Sequence, residues 1–182
     1  SLRRVRLQPR ASWGMTLAHG GLAIAIAGMT ASSAWRVEKI QIMRPGDHVE
    51  VAGYHFAFEG AREVAGPNYR AVRGRFAVSR NGRPFVSLAP EKRTYLVRGM
   101  PTTEAAIHPT FLGDLYAVIG DAKGNDGGFV TRLYFNPLVP WMWVGGLVMV
   151  LGAGISLTDR RHRVGVPARR RKAPAGGARA GA

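Results

Sequence analysis

Two stretches of this chain carry no formal charge: Trp13 to Ala34 and Pro137 to Thr158. Each is 22 residues long, and an α-helix needs about 17–25 largely apolar residues to cross a bilayer. A soluble core helix of that length shows a polar face, and neither stretch has one. Both are therefore expected to be transmembrane helices. The first is too long for the apolar run of a signal peptide, which is about 7–15 residues, although "ASSAW" at Ala31 to Trp35 imitates a cleavage site.

The net charge of +15 would suit a nucleic-acid binder if it were spread over a folded surface. It is instead concentrated outside the two apolar stretches, in "RRHR", "ARRRK" and the arginines before Trp13. These flanks hold twelve basic residues and one acid, Asp159; residues 35–136 hold fourteen basic and ten acidic residues. Basic flanks mark cytoplasmic ends under the positive-inside rule. Both termini are expected in the cytoplasm, next to anionic lipid headgroups, with the middle on the opposite side. The basic runs have no interleaved aromatics, so no nucleic acid is expected as a partner. The absence of cysteine removes disulfides, thiolate metal sites and thiol nucleophiles.

Between the spans the pattern shifts to short alternating segments. "HVEVAGYHFAFEGA" puts Val49 and Val51 on one face, then Tyr54, Phe56 and Phe58, with a bulge expected at Gly53. "RAVRGRFAVSRNGRPFVSLAP" reads as a hairpin turning at Asn81-Gly82. "KRTYLV", "DLYAVIG" and "GFVTRLYF" are further strands, separated by turn residues at Gly66–Asn68, Gly99–Pro101 and Lys123–Gly128. Six to eight short strands and no strong helix suggest a small antiparallel barrel or sandwich. The expected organisation is a basic arm at 1–12, a transmembrane helix at 13–35, a β domain at 36–136, a second transmembrane helix at 137–158 and a basic, disordered tail at 159–182. The fold class is thus a membrane protein in which two transmembrane helices flank an all-β domain.

Five histidines are the main candidates for chemistry. His48 and His55 have Asp47 and Glu50 nearby but no placed third ligand, and read as solvated surface residues. His108 precedes a proline in an expected loop, and His162 lies in a basic run. His19 differs, because it sits in the first span, about 9 Å below Trp13 at 1.5 Å per residue. An ionisable group there usually faces a bundle interior and serves a site. Small residues surround it, and the i, i+4 pairs Gly21/Ala25, Ala23/Ala27 and Gly28/Ser32 allow close helix packing or room for a flat ligand. The residues alone leave three roles open for His19: an interhelical hydrogen bond, a metal or haem ligand, or a proton relay.

Several stretches taken in order are more specific. "SWGMTLAHGGLAI", "GPNYR", "EKRTY", "TEAAI", "DLYAVIG", "RLYFNPLVPWMWVGGLVMVLG" and "DRRHR", spread over residues 10–163, resemble the C-terminal part of the CcmF family. That family is the haem lyase component of bacterial cytochrome c maturation. The resemblance implies transfer of haem from a haem-loaded periplasmic chaperone to apocytochrome c, in the bacterial inner membrane, together with other cytochrome c maturation proteins. It implies a periplasmic β domain. It further implies a haem b in the membrane bundle, with His19 as one axial ligand to the haem iron. Gly20-Gly21 stands where the family more often has a bulkier residue. The family's tryptophan-rich haem-presenting segment, its two flanking histidines and the other haem b ligand have no counterpart here. The chain is then expected to be a fragment or one chain of a split assembly, incompetent as a lyase without the remaining N-terminal helices. The alternative is a membrane anchor whose β domain docks partners and holds no cofactor. Candidate docking residues are "GPNY", "TEAAI", Glu91 and Arg93.

Overall fold

The computed structural model describes residues 9–97, 99–124 and 127–159. The arm before Pro9, the tail after Asp159 and His162 lie outside the described residues. Helix α1 runs Arg10–Ala34 and helix α2 runs Val139–Leu157. Both are long and apolar enough to cross a membrane. Pro9 precedes α1 in an extended conformation, consistent with proline's lack of a backbone donor at a helix start.

Among the described residues, ten strands lie between the helices: β1 Val37–Met43, β2 His48–Val51, β3 Tyr54–Ala65, β4 Tyr69–Arg80, β5 Arg83–Leu88, β6 Glu91–Tyr95, β7 Pro101–Glu104, β8 Ala106–Thr110, β9 Gly113–Lys123 and β10 Gly128–Pro137. They form two sheets. One has four strands in the order β1-β10-β9-β8; the other has β2-β3-β4-β6-β7, with β5 also paired to β4. All pairings are antiparallel. The long strand β4 serves both partners: Phe76–Arg80 pairs β5 and Tyr69–Arg73 pairs β6. The domain is a sandwich, which decides between the two architectures that alternating strands permit.

The alternation read from the sequence fills its core. Val49, Val51, Tyr54, Phe56 and Phe58 all join the cluster between the sheets, with Phe76 and Val78 from β4 and Leu115, Ile119 and Leu133 from the facing sheet. The rings of Phe58 and Phe76 lie 5.0 Å apart. Fully burying each large apolar side chain is worth about 1.5–3 kcal/mol. Asn81 and Gly82 both adopt positive φ in the β4–β5 turn, as a two-residue hairpin requires.

Three expectations change. Gly53 is not a bulge: Ala52 and Gly53, both with positive φ, turn β2 into β3, so that Val51 pairs Tyr54. The bulge lies further along β3, between Phe58 and Gly60. His108 belongs to strand β8 rather than a loop. The strand count exceeds eight because β1, β7 and β8 lack a clean alternation; in β1, "VEKIQIM", charged and polar residues interrupt the apolar ones.

The connection between sandwich and helices is direct. α1 leads into β1, β10 leads into α2, and β1 pairs β10 with Val37 opposite Phe135. Neighbouring strands thus deliver the two helices side by side and antiparallel.

Candidate functional site

The first candidate region is the seam between α1 and α2. Gly14, Gly21 and Gly28 are the buried glycines of α1; Gly145 and Gly152 are those of α2. Both sets repeat every seven residues, the period that keeps one seam aligned between two helices. The backbones touch there. A Cβ added at Gly21 would lie 2.7 Å from the Gly145 carbonyl oxygen, and one at Gly152 would lie 2.5 Å from the Ala18 amide nitrogen. Ala18 and Ala25 fill the positions between the α1 glycines. Of the small-residue pairs read from the sequence, Gly21/Ala25 lies on the seam. Ala23 and Ala27 are exposed away from it, and Ser32 donates to the Met29 carbonyl of its own helix at 2.9 Å.

His19 follows Ala18 and stands at the rim of this seam, exposed. Its Nδ1 lies 2.8 Å from the Met15 carbonyl oxygen one turn earlier. A carbonyl can only accept, so Nδ1 carries the hydrogen. In the neutral imidazole this leaves Nε2 with a free lone pair. An open groove of about 540 Å³ runs beside the ring, lined by Ser12, Gly14, Met15, Ala18, Gly152 and Ser156 among others. Gly14 and Gly152, which meet backbone to backbone, form part of its lining.

The seam is closed at the start of α1 by a residue that sequence reading did not single out. Asp159, just beyond α2 and buried, accepts a hydrogen bond from the Ala11 amide at 3.0 Å. Amides in the first turn of a helix have no partner in their own helix. The antiparallel pairing brings an acceptor from the other helix's end, and Pro9 supplies no side-chain cap. The sequence signal was present: Asp159 is the only acid in the flanks.

The second candidate region is on the six-stranded sheet. Glu91 is 6% exposed. Its Oε1 accepts from Arg73 Nε at 2.5 Å and its Oε2 from Arg93 Nε at 2.8 Å. The Arg93 guanidinium also lies 4.6 Å above the Tyr69 ring and 3.7 Å from Glu104. The bond from Arg93 is the main cause that holds the Glu91 carboxyl below its usual range, and Arg73 adds to it against the cost of burial. Glu91 and Arg93 are thus structural partners inside one network. "GPNY" has a structural role too: the Gly66 amide donates to the Tyr69 carbonyl at 2.8 Å, and the Tyr69 ring occupies the space a Cβ on Gly66 would need. "TEAAI" spans the crossing from β7 in one sheet to β8 in the other.

His48 and His55 are exposed, and no group of three or more potential metal ligands gathers among the described residues. His108 stacks edge-on against Phe85 at 5.3 Å. Asp114 on β9 is 7% exposed and its Oδ1 has no hydrogen-bond partner. Burial pushes its carboxyl above the usual range, and nearby His108 offsets part of this.

Comparison with known proteins agrees with this architecture. Residues 34–137 match the family model described as the CcmF C-terminal beta-sandwich. The cytochrome c-type biogenesis protein ccl1 of Rhodobacter capsulatus is 45% identical over 167 residues, covering 92% of this chain and 25% of the relative. The cytochrome c-type biogenesis protein CcmF of Pseudomonas aeruginosa is 43% identical over 172 residues, covering 94% of this chain and 26% of the relative. A solved structure titled Cytochrome c Heme Lyase CcmF superposes with a TM-score of 0.68 at 24% identity, covering 82% of this chain and 25% of that one, and shares the fold. The chain spans about a quarter of the length of these relatives. It belongs to the CcmF family.

Proposed function

We propose that this chain, as a CcmF family member, is the C-terminal part of a cytochrome c haem lyase complex that transfers haem to apocytochrome c. In this reading α1 and α2 span the bacterial inner membrane with both termini in the cytoplasm. The sandwich stands on the periplasmic side, where it docks other cytochrome c maturation proteins, a haem-loaded chaperone and apocytochrome c. His19 would be the residue of this chain that holds the iron of a membrane-embedded haem b.

The observation that carries the ligand role is the hydrogen bond from His19 Nδ1 to the Met15 carbonyl. It fixes the ring's tautomer and orientation, as a carbonyl partner does for ligating histidines elsewhere. The donor set fits one side of a porphyrin: a neutral imidazole nitrogen beside a groove of small residues and a methionine. A haem bound there would supply one-electron redox chemistry. The chain's own part is to present the His19 ring at the rim of the helix seam, with Nδ1 held by the Met15 carbonyl.

The test is the absorption spectrum of the complex co-expressed with the remaining N-terminal helices. His19→Ala should lose the b-type bands, and His19→Gly should regain them, shifted, on addition of imidazole. Full haem content and an unchanged spectrum in His19→Ala would overturn the ligand role and leave an anchor with a docking domain.

A further inference from the structure

The turn between β8 and β9 is tied to the beginning of α2. The Leu138 amide donates to the Leu112 carbonyl at 2.8 Å, and the Trp141 indole donates to the Phe111 carbonyl at 3.0 Å. The Phe111 ring meets the Trp141 ring edge-on at 5.0 Å. Thr110 pins the turn itself, its hydroxyl donating to the Gly113 carbonyl at 2.6 Å. These bonds set Phe111 and Leu112 at the level of the first turn of α2. Yet Phe111 is 73% exposed and Leu112 is 51% exposed.

Large apolar side chains gathered into one exposed patch mark a surface that meets a partner or a membrane. The same end of the molecule exposes Trp35 at the close of α1 and Trp143 in α2. Trp35, Phe111, Trp141 and Trp143 thus gather where the two apolar helices meet the sandwich. Aromatic side chains at the ends of apolar helices favour the boundary between lipid headgroups and acyl chains.

We propose that the β8–β9 turn is a third membrane contact, with Phe111 and Leu112 inserted into the headgroup–acyl boundary of the leaflet where α2 begins. It would fix the tilt of the sandwich, which two helices alone leave free to rock. This rests on the reading of α1 and α2 as membrane spans. Lipid is favoured over a protein partner because the turn is bonded to the first turn of α2, a helix that itself exposes Trp143, Leu147 and Val150.

The absence of cysteine makes the test direct. Single variants Phe111→Cys, Val150→Cys and Val97→Cys of the full chain would carry an environment-sensitive fluorophore in vesicles of phosphatidylethanolamine and phosphatidylglycerol. Quenching by lipids with a nitroxide near the headgroup or deep in the acyl chain would be compared with quenching by iodide on both sides. Val97 is 93% exposed in the β6–β7 turn, at the opposite end of the six-stranded sheet from Tyr54, whose ring touches Phe135 near the start of α2. The Phe111 position should be quenched by the shallow nitroxide and lose its iodide quenching, while Val97 keeps it. Iodide quenching at Phe111 with deep-lipid quenching at Val150 would overturn the third contact and preserve the spans. Iodide quenching at Val150 would overturn the spans themselves. Protection of Phe111 from both quenchers would mean that protein covers it, and would also overturn the proposal.

Discussion

Gly14 of α1 and Gly152 of α2 meet backbone to backbone: a Cβ on Gly14 would stand 2.5 Å from the Gly152 carbonyl oxygen. The two helices approach closely because neither has a side chain there. The groove beside His19 is lined by these same two glycines.

Gly14→Ala and Gly152→Ala should each force the helices apart. Overpacking costs about 1–3 kcal/mol, and here the obstructing atoms are backbone and cannot rotate away. Gly20→Ala, Gly146→Ala and Gly154→Ala are the controls, since nothing lies within 4 Å of a Cβ at those positions. Thermal unfolding in detergent should separate the two sets. An equal gain in both sets, which alanine's higher helix propensity alone would give, would show that the seam does not govern stability.

Asp159→Ala should expose the first turn of α1. Loss of a capping acceptor costs about 0.5–2 kcal/mol. Hydrogen exchange should rise at the Ala11 amide and its neighbours, with the sandwich amides unchanged.

Glu91→Gln should weaken the sandwich. It leaves one of two arginines without a carboxylate oxygen, a loss of about 1–3 kcal/mol for a buried hydrogen-bonded group. The carboxyl's pKa is lowered on folding, mainly by Arg93. Its stabilisation is therefore present above the ordinary glutamate range and is lost as pH falls through the lowered folded value. Acid denaturation of Glu91→Gln should be flatter than that of the parent chain in that window. A parallel acid limb would assign the pH dependence to other groups.

Asp114 has the opposite sign. Burial raises its pKa, with His108 opposing, so stability is greatest below the unfolded value and falls as pH rises through the raised folded value. Asp114→Asn should be more stable than the parent at neutral pH by about 1 kcal/mol, and the gain should disappear in acid. Chemical denaturation at two pH values checks it. A loss of stability at neutral pH would mean that the carboxylate makes a needed contact through its second oxygen.

Much of the fold was legible because its signals are local. The two uncharged stretches mark helices wherever they fold, and period-two alternation marked the core faces of β2 to β5. Asn81-Gly82 is a turn on chemistry alone. Gly53 was misread because an Ala-Gly turn and a bulge both break the alternation; only the pairing of Val51 with Tyr54 tells them apart. Strand β1 was missed because charged and polar residues interrupt its apolar ones, although Glu38 finds a partner across the sheet, accepting from Arg132 at 3.2 Å. The candidate site was half legible. An imidazole in an apolar helix stands out in one dimension, and so does the seven-residue spacing of glycines, once both helices are compared. Glu91 and Asp114 carry no such mark, since a strand's charged residue looks the same in sequence whether buried or solvated.

The sequence by itself determined which segments are apolar helices, which strands alternate, and that one histidine sits among small apolar residues. Those properties belong to neighbours along the chain. The tertiary structure alone decided that β1 pairs β10, and through that pairing that α1 and α2 lie antiparallel in glycine-to-glycine contact. It also decided that His19 stands at the rim of that contact and not within it. Contacts between residues more than a hundred positions apart depend on how whole sheets close on each other, and no local pattern encodes that closure.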